Sequence, residues 1–258
     1  MRSSIVGSNA GDEIGDLSRS FSTIVRRLGE YNAYMETMSG RLAHEIRTPL
    51  AVMRSSLDNL RLQPLPQDAQ LYMDRAQEGL ARLARIVRSM TEATRLEQML
   101  RTSQRERFDL SAVVTGCAQG YRLAYPGVRF ELETPTEEIA VEGDADFAAQ
   151  MLDKLIANAA DFAQPDTPVI VQLRAGHGFA TLSVTNDGPL LPQDMQALLF
   201  DSMVSVRPGR ADGDPHLGMG LYIARLIAQS LGGSITALNR AQGNGVELSV
   251  QVPLAANK

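Results

Sequence analysis

Apolar residues at Ile14, Leu17, Phe21, Ile24, Leu28, Tyr31, Met35, Met38 and Leu42 recur at alternating steps of three and four. A seam of this kind, held over about four heptads, commits a chain to helices that pair along a coiled coil. The alternative, one amphipathic helix packed on its own domain, fits so regular a spacing less well. After Leu42 the apolar positions are Ile46, Leu50, Met53, Leu57 and Leu60. Two consecutive steps of four form a stutter, which locally unwinds a supercoil. The run Gln63-Pro64-Leu65-Pro66-Gln67-Asp68 then stops the helix, because proline lacks an N–H and clashes with the preceding turn. A second helical pattern follows through Met73, Ala76, Leu80, Leu83, Val87, Met90 and Leu96. Two long helices and a short loop make an all-α antiparallel helical hairpin. Its wide apolar stripe predicts a homodimer closed as a four-helix bundle.

From about Arg105 the texture changes. Strand-like runs fall at Val128–Leu132, Val169–Leu173, Ala180–Thr185, Ser234–Leu238 and Val246–Val252, and helical patterns at Ser111–Ala124, Ala145–Phe162 and Leu217–Leu231. Adjacent strands with separate helices predict an α+β sandwich rather than a doubly wound sheet. The charge divides the same way. Residues 1–106 hold 15 Arg against 13 acids (+2), and 107–258 hold 10 basic against 17 acidic residues (−7), which together give the net −5. That balance argues against a dedicated nucleic-acid binder. The single cysteine, Cys117, permits no internal disulfide, fits a reduced compartment and reads as a small buried hydrophobe. No window holds the ~18 apolar residues that a membrane span requires, and the opening residues lack the long apolar stretch of a secretory signal. The chain as given is expected to be soluble.

Of the three histidines, His44 lies in Arg41-Leu42-Ala43-His44-Glu45-Ile46-Arg47-Thr48-Pro49-Leu50. It stands two positions after a seam residue and so points away from the seam. On a helix Thr48 falls one turn later on the same face, with Glu45 next door. A neutral imidazole can attack phosphorus while a neighbouring carboxylate takes its other proton, and a hydroxyl one turn on can position a water. Pro49 is expected to bend the helix just beyond. Taken alone, a surface histidine beside a glutamate is usually a solvated polar face. The string His-Glu-Ile-Arg-Thr-Pro-Leu, however, resembles the H box of bacterial two-component sensor histidine kinases. That resemblance implies that His44 is autophosphorylated, that Glu45 is the general base, and that Glu45 with Thr48 supports dephosphorylation of the partner regulator. Gly11-Asp12-Glu13-Ile14-Gly15-Asp16-Leu17 likewise resembles the end of a HAMP signalling module. The resemblance therefore implies a piece of a longer protein, the cytoplasmic portion of an inner-membrane sensor joined to the membrane by segments missing from this chain.

The same resemblance extends into the second half. Met151–Phe162 is similar to the family's N box, where Asn158 would coordinate the magnesium that bridges the phosphates of ATP; an amide oxygen suits that hard ion. Lys154 replaces an earlier asparagine and Asp161 a later lysine, so Lys154 faces either phosphate or Asp161. Val184–Pro192 aligns with the family's Asp-x-Gly-x-Gly adenine loop, with Asn186 in the aspartate's place and Leu190 in that of the second glycine. The Asn186 carbonyl can accept from the adenine amine without charge assistance, a loss of about 1 kcal/mol, and Asp187 is a possible substitute. Read alone, Asn-Asp-Gly-Pro is also a plain turn. Leu199-Phe200-Asp201 resembles the F box, and Arg207–Pro215 reads as a lid. His216-Leu217-Gly218-Met219-Gly220-Leu221 resembles the second glycine loop, whose backbone amides would cradle phosphate. His216, in a glycine's place, faces phosphate or serves as a hinge. His177 is expected in an exposed hairpin turn, and Gly232-Gly233 at a helix stop.

The implied architecture is the end of a HAMP-like linker over 1–30, a dimerisation and histidine-phosphotransfer hairpin over 31–104, and a catalytic ATP-binding domain of the histidine kinase/GHKL type over 105–258. Nucleotide contacts are expected from Lys154, Asn158, Asp161, Phe162, Asn186, Asp187, Gly188, His216, Gly218, Gly220 and Leu221, with metal at Asn158. The implied activity is autophosphorylation of His44 by magnesium ATP and phosphotransfer to an aspartate of a response regulator receiver domain. The competing reading is a degenerate kinase acting as a dimeric docking scaffold and regulator phosphatase. Chaperone, topoisomerase and mismatch-repair ATPases share the ATP fold but lack the His-Glu-x-x-Thr-Pro hairpin. Leu199–Arg207 also resembles members tied to a dedicated sortase system.

Overall fold

The computed structural model describes residues 45–192, 195–196, 198–202, 218–240 and 243–256. The heptad seam, the HAMP-like segment, His44, Arg207–Pro215 and His216 lie outside these residues. The described chain forms two compact units that divide between Thr94 and Arg95, within a single long helix.

In the first unit, helix α1 (residues 45–61) runs through Pro49 without a break. The Pro64–Pro66 segment stops it as expected, and α2 (Gln67–Thr102) returns. Leu50, Leu80 and Val87 are buried together, with Leu57 and Ala84 against them, so the hairpin closes on five aliphatic side chains. Gln77 bridges its outer side, donating to Asp58 and accepting from Arg61. The expected face of α2 is only partly covered: Met73, Leu80, Val87 and Leu96 are buried, whereas Leu83 and Met90 are 51% and 42% exposed. A cavity of about 460 Å³ opens beside this core, lined by Leu50, Leu80, Ala84 and Val87 and rimmed by Arg47, Arg54, Arg61 and Arg88. Among the described residues, no helix is long and apolar enough to cross a membrane.

The second unit is built on a five-stranded sheet in the order β2-β4-β5-β7-β6, comprising β2 (Arg129–Glu133), β4 (Pro168–Gly176), β5 (Phe179–Asp187), β7 (Gly245–Pro253) and β6 (Ser234–Asn239). Only β2 and β4 pair in parallel. Alternation governs every long strand: Val169, Val171 and Leu173, then Ala180, Leu182 and Val184, then Val246, Leu248, Val250 and Val252 are buried. Most residues between them, such as Gln172, Thr181 and Glu247, are more exposed, while Ser183 is buried as well. The buried face is covered by α3 (Leu110–Ala124), α4 (Ala145–Phe162) and α5 (Gly220–Ser230). The expected strands and helices are all present, α4 at its expected bounds because Asp144 caps it by accepting from the Asp146 amide.

Two differences stand out. The sequence reading lacked β1 (Glu106–Asp109) and β3 (Ala140–Gly143), a short antiparallel pair. Both are four residues long, below the length at which alternation can be read, and three of the four residues of β1 are charged. Helix α5 begins at Gly220 rather than Leu217, because Gly218 adopts φ 68°, a left-handed conformation that a helix cannot contain. The other turn expectations hold. His177 (φ 52°) and Gly178 (φ 83°) form the exposed two-residue turn between β4 and β5. Gly232 (φ 78°) ends α5, with the Gly232 and Gly233 amides donating to Gln229 and Ala228 carbonyls as in a Schellman motif.

Candidate functional site

Glu45 and Thr48 lie three positions apart on α1, and both are exposed. They present a carboxylate and a hydroxyl on neighbouring points of one helix surface, adjoining the position of His44 in the chain.

In the second unit the expected nucleotide residues fall on α4, the end of β5 and α5. Helix α4 buries Met151, Leu152, Leu155, Ile156 and Ala159 against the sheet, which leaves Lys154, Asn158 and Asp161 on its outer side at helical spacing. Its C-terminal end meets the end of β5, where the Gln164 amide donates to the Asp187 carbonyl at 2.8 Å. The contact is tight: a Cβ on Gly188 would lie 2.3 Å from the Phe162 carbonyl oxygen. Glycine at 188 is therefore a requirement of packing, not of φ. Asn186, only 4% exposed, shares the helix-covered face of β5 with Leu182 and Val184, and its amide nitrogen donates to the Asp187 carbonyl at 3.3 Å. Asp187, one residue on, belongs to the opposite face, where its carboxylate pairs with Arg240.

The third element is α5, which packs against α4. Met219 supplies no side-chain cap, so the first-turn amides are not closed off from that side. Just before the gap in the described chain, Leu199 and Phe200 are buried in the main core, and Asp201 forms a 2.8 Å ion pair with Arg225 of α5. Arg225 lies over the Tyr222 ring, and the Tyr222 hydroxyl donates to Glu97 at 2.7 Å. Burial and that bond push the Tyr222 phenol up to about 12. Tyr121 is also pushed up, by burial and by its 2.6 Å bond to Asp153, and burial likewise raises the neighbouring Cys117 thiol.

The structure thus brings Asn186, Gly188 and Phe162 together and sets Lys154, Asn158 and Asp161 along one helix. Sequence reasoning did not single out Arg240, Asn239, Arg225, Tyr222 or Glu97. Their partners lie 24 to 125 residues away in sequence, so no local pattern could reveal them. Among the described residues no group of three His, Cys, Asp or Glu side chains could hold a metal ion. Toward a nucleotide these residues bring a buried amide at Asn186 and, at the start of α5, a first turn that the Met219 side chain does not cap.

Residues 34–98 match the His Kinase A (phospho-acceptor) domain, and residues 143–256 match the histidine kinase-, DNA gyrase B- and HSP90-like ATPase. The pair defines the class: this chain has the domains of a two-component sensor histidine kinase. The sensor protein ChvG of Rhizobium meliloti is 26% identical over 247 residues, 92% of this chain and 43% of that protein. The sensor protein CutS of Streptomyces coelicolor is 28% identical over 255 residues, 94% of this chain and 58% of that protein. The chain thus spans about half the length of these relatives. The fold is similar to part of ShkA, solved at full length in complex with AMPPNP, with a TM-score of 0.57 and 21% identity, covering 85% of this chain and 46% of ShkA.

Proposed function

We propose that the chain phosphorylates itself on His44 from ATP and passes the phosphoryl group to an aspartate of a response regulator. The observation that carries this is the joining, in one chain, of a phospho-acceptor hairpin with exposed Glu45 and Thr48 to an ATPase domain in which α4 packs on both β5 and α5. ATP, when bound, supplies the phosphoryl group. The His44 imidazole nitrogen forms the new N–P bond as the bond to the departing ADP oxygen breaks, and Glu45 accepts the proton from the other ring nitrogen. Asn158 holds magnesium, Asn186 accepts from the adenine amine, and the amides at the start of α5 receive phosphate oxygens. With little covalent chemistry for the protein to perform, positioning sets the rate.

The 460 Å³ cavity and the exposed Leu83 and Met90 support a homodimer in which a second copy covers this face of the hairpin. The HAMP-like segment at 1–30 and membrane attachment through a longer chain belong to the same proposal. A second reading, a docking scaffold that mainly dephosphorylates its regulator through Glu45 and Thr48, is favoured by one observation: Arg240 holds Asp187, so no free carboxylate stands at the adenine loop.

The test is transfer to a purified receiver domain from wild type, His44→Ala and Thr48→Ala. The kinase reading predicts transfer by wild type and Thr48→Ala, none by His44→Ala, and slower receiver dephosphorylation by Thr48→Ala. Phosphatase activity without any transfer would favour the scaffold.

A further inference from the structure

We propose that Asn239 and Arg240, at the exit of β6, form a clasp that positions the nucleobase-reading loop Asn186–Leu191; this rests on the nucleotide site proposed above. Four contacts build the clasp. The Asn239 amide oxygen accepts from the Leu191 N–H at 2.8 Å, and its nitrogen donates to the Leu191 carbonyl at 2.9 Å. Arg240 pairs with the Asp187 carboxylate. The Asn244 carbonyl accepts from the Gly188 amide at 3.2 Å. The loop is thus held at Asp187, Gly188 and Leu191 from the end of β6 and the β6–β7 connection, while Gln164 and Asn186 hold the Asp187 carbonyl from the other side.

The chemistry of each side chain is specific. Asn239 satisfies a backbone N–H and C=O at once, which needs a group that both donates and accepts; aspartate can only accept. Strand alternation sets Asp187 on the face opposite Asn186, so its carboxylate serves the clasp and the base is left to the Asn186 amide. The Asn186 nitrogen is engaged with the Asp187 carbonyl, which orients its oxygen as the acceptor. A side chain at Gly245 would strike the Asn186 carbonyl oxygen at 2.3 Å, so the β7 start is also fitted closely to this strand end. An uncharged reader gains less per contact than a carboxylate. Holding the loop in place before the nucleotide arrives removes an ordering cost from binding. Asn239 and Arg240 are therefore positioning residues that act through Leu191 and Asp187.

The experiment measures displacement of a fluorescent ribose-labelled ATP from the whole chain, with magnesium, by ATP and separately by inorganic tripolyphosphate, which has no base. Variants are Asn239→Ala, Asn239→Asp, Arg240→Ala and Arg240→Lys, each checked for folding by circular dichroism. ATP binding should weaken about tenfold in each alanine variant and recover partly in Arg240→Lys, while tripolyphosphate stays within about twofold of wild type. Asn239→Asp keeps one of its two bonds and should fall between. If an alanine variant fails to fold, Asn239→Asp and Arg240→Lys decide the matter by the same split between ATP and tripolyphosphate. Unchanged ATP binding, or a parallel loss of both ligands, would overturn the clasp while leaving the nucleotide site intact. A wild-type chain from which ATP displaces nothing would overturn the nucleotide reading and the clasp with it.

Discussion

Replacing Gly188 with alanine probes the closest approach in the candidate nucleotide site. The added Cβ would lie 2.3 Å from the Phe162 carbonyl oxygen, 3.3 Å from the Phe162 carbonyl carbon and 3.0 Å from the Asn186 amide nitrogen. Two of these neighbours are backbone at the C-terminal end of α4, so no rotamer change relieves the clash. Either the β5 end or the α4 end must move, at a cost of about 1–3 kcal/mol. For a unit of this size, 2 kcal/mol lowers Tm by about 4–8 °C. The same shift displaces Asn186, so ATP binding should weaken as well. Gly176→Ala is the control: nothing lies within 4 Å of its added Cβ, and Tm should hold or rise slightly. The chain has no tryptophan, so unfolding is best followed by circular dichroism or calorimetry. A Gly188→Ala protein that melts with wild type and binds ATP equally well would refute the inferred tightness of this junction.

Asp109 caps α3 and accepts from the Ser111 and Ile139 amides; Asp109→Ala should cost about 1–2 kcal/mol in urea unfolding. Burial alone would raise this carboxyl, but its hydrogen bonds from Ser111 and Ile139 prevail and hold it below the ordinary 3.8. Its contribution is thus fully present above that value and lost as pH falls through the lower folded value, so the acid-side slope below about pH 4 should be shallower in Asp109→Asn. Tyr222→Phe removes the bond to Glu97 and should cost about 1 kcal/mol. The raised Tyr222 pKa of about 12 means that its stabilisation persists below the ordinary tyrosine value and is lost as pH climbs through about 12. Leu80→Ala, inside the hairpin core, should cost about 2–5 kcal/mol and shift sedimentation toward monomer at low protein concentration.

Much of the fold was legible because its signals are local. Helix α4 announces itself by Asp144 before an unbroken 3.6-residue apolar period, and the long strands by alternating Val and Leu. The β4–β5 turn was marked by Gly-His-Gly and the end of α5 by Gly232-Gly233. The short pair β1–β3 was not, since Glu-Arg-Phe-Asp and Ala-Val-Glu-Gly owe their strand state to each other and to a bridge from Val141 to Leu254. The start of α5 was misplaced because a helical pattern extends through Leu217 and Gly218, and only the backbone shows the left-handed glycine. At the site, the expected residues on one helix or loop came from resemblance to the family's boxes, each of which is local in sequence. The Arg240–Asp187 pair, 53 residues apart, arises only when β5 and β7 pair and bring the β6–β7 connection alongside. Asp187, which sequence offered as a second reader of adenine, stands on the other face of its strand in that pair.

The central claim, that His44 accepts a phosphoryl group from ATP, is tested most directly by incubating the chain with magnesium and γ-labelled ATP, then treating the labelled protein with acid and with base. Label lost in acid, kept in base and absent from His44→Ala is the predicted result. Label that survives acid, or persists in His44→Ala, would contradict the account.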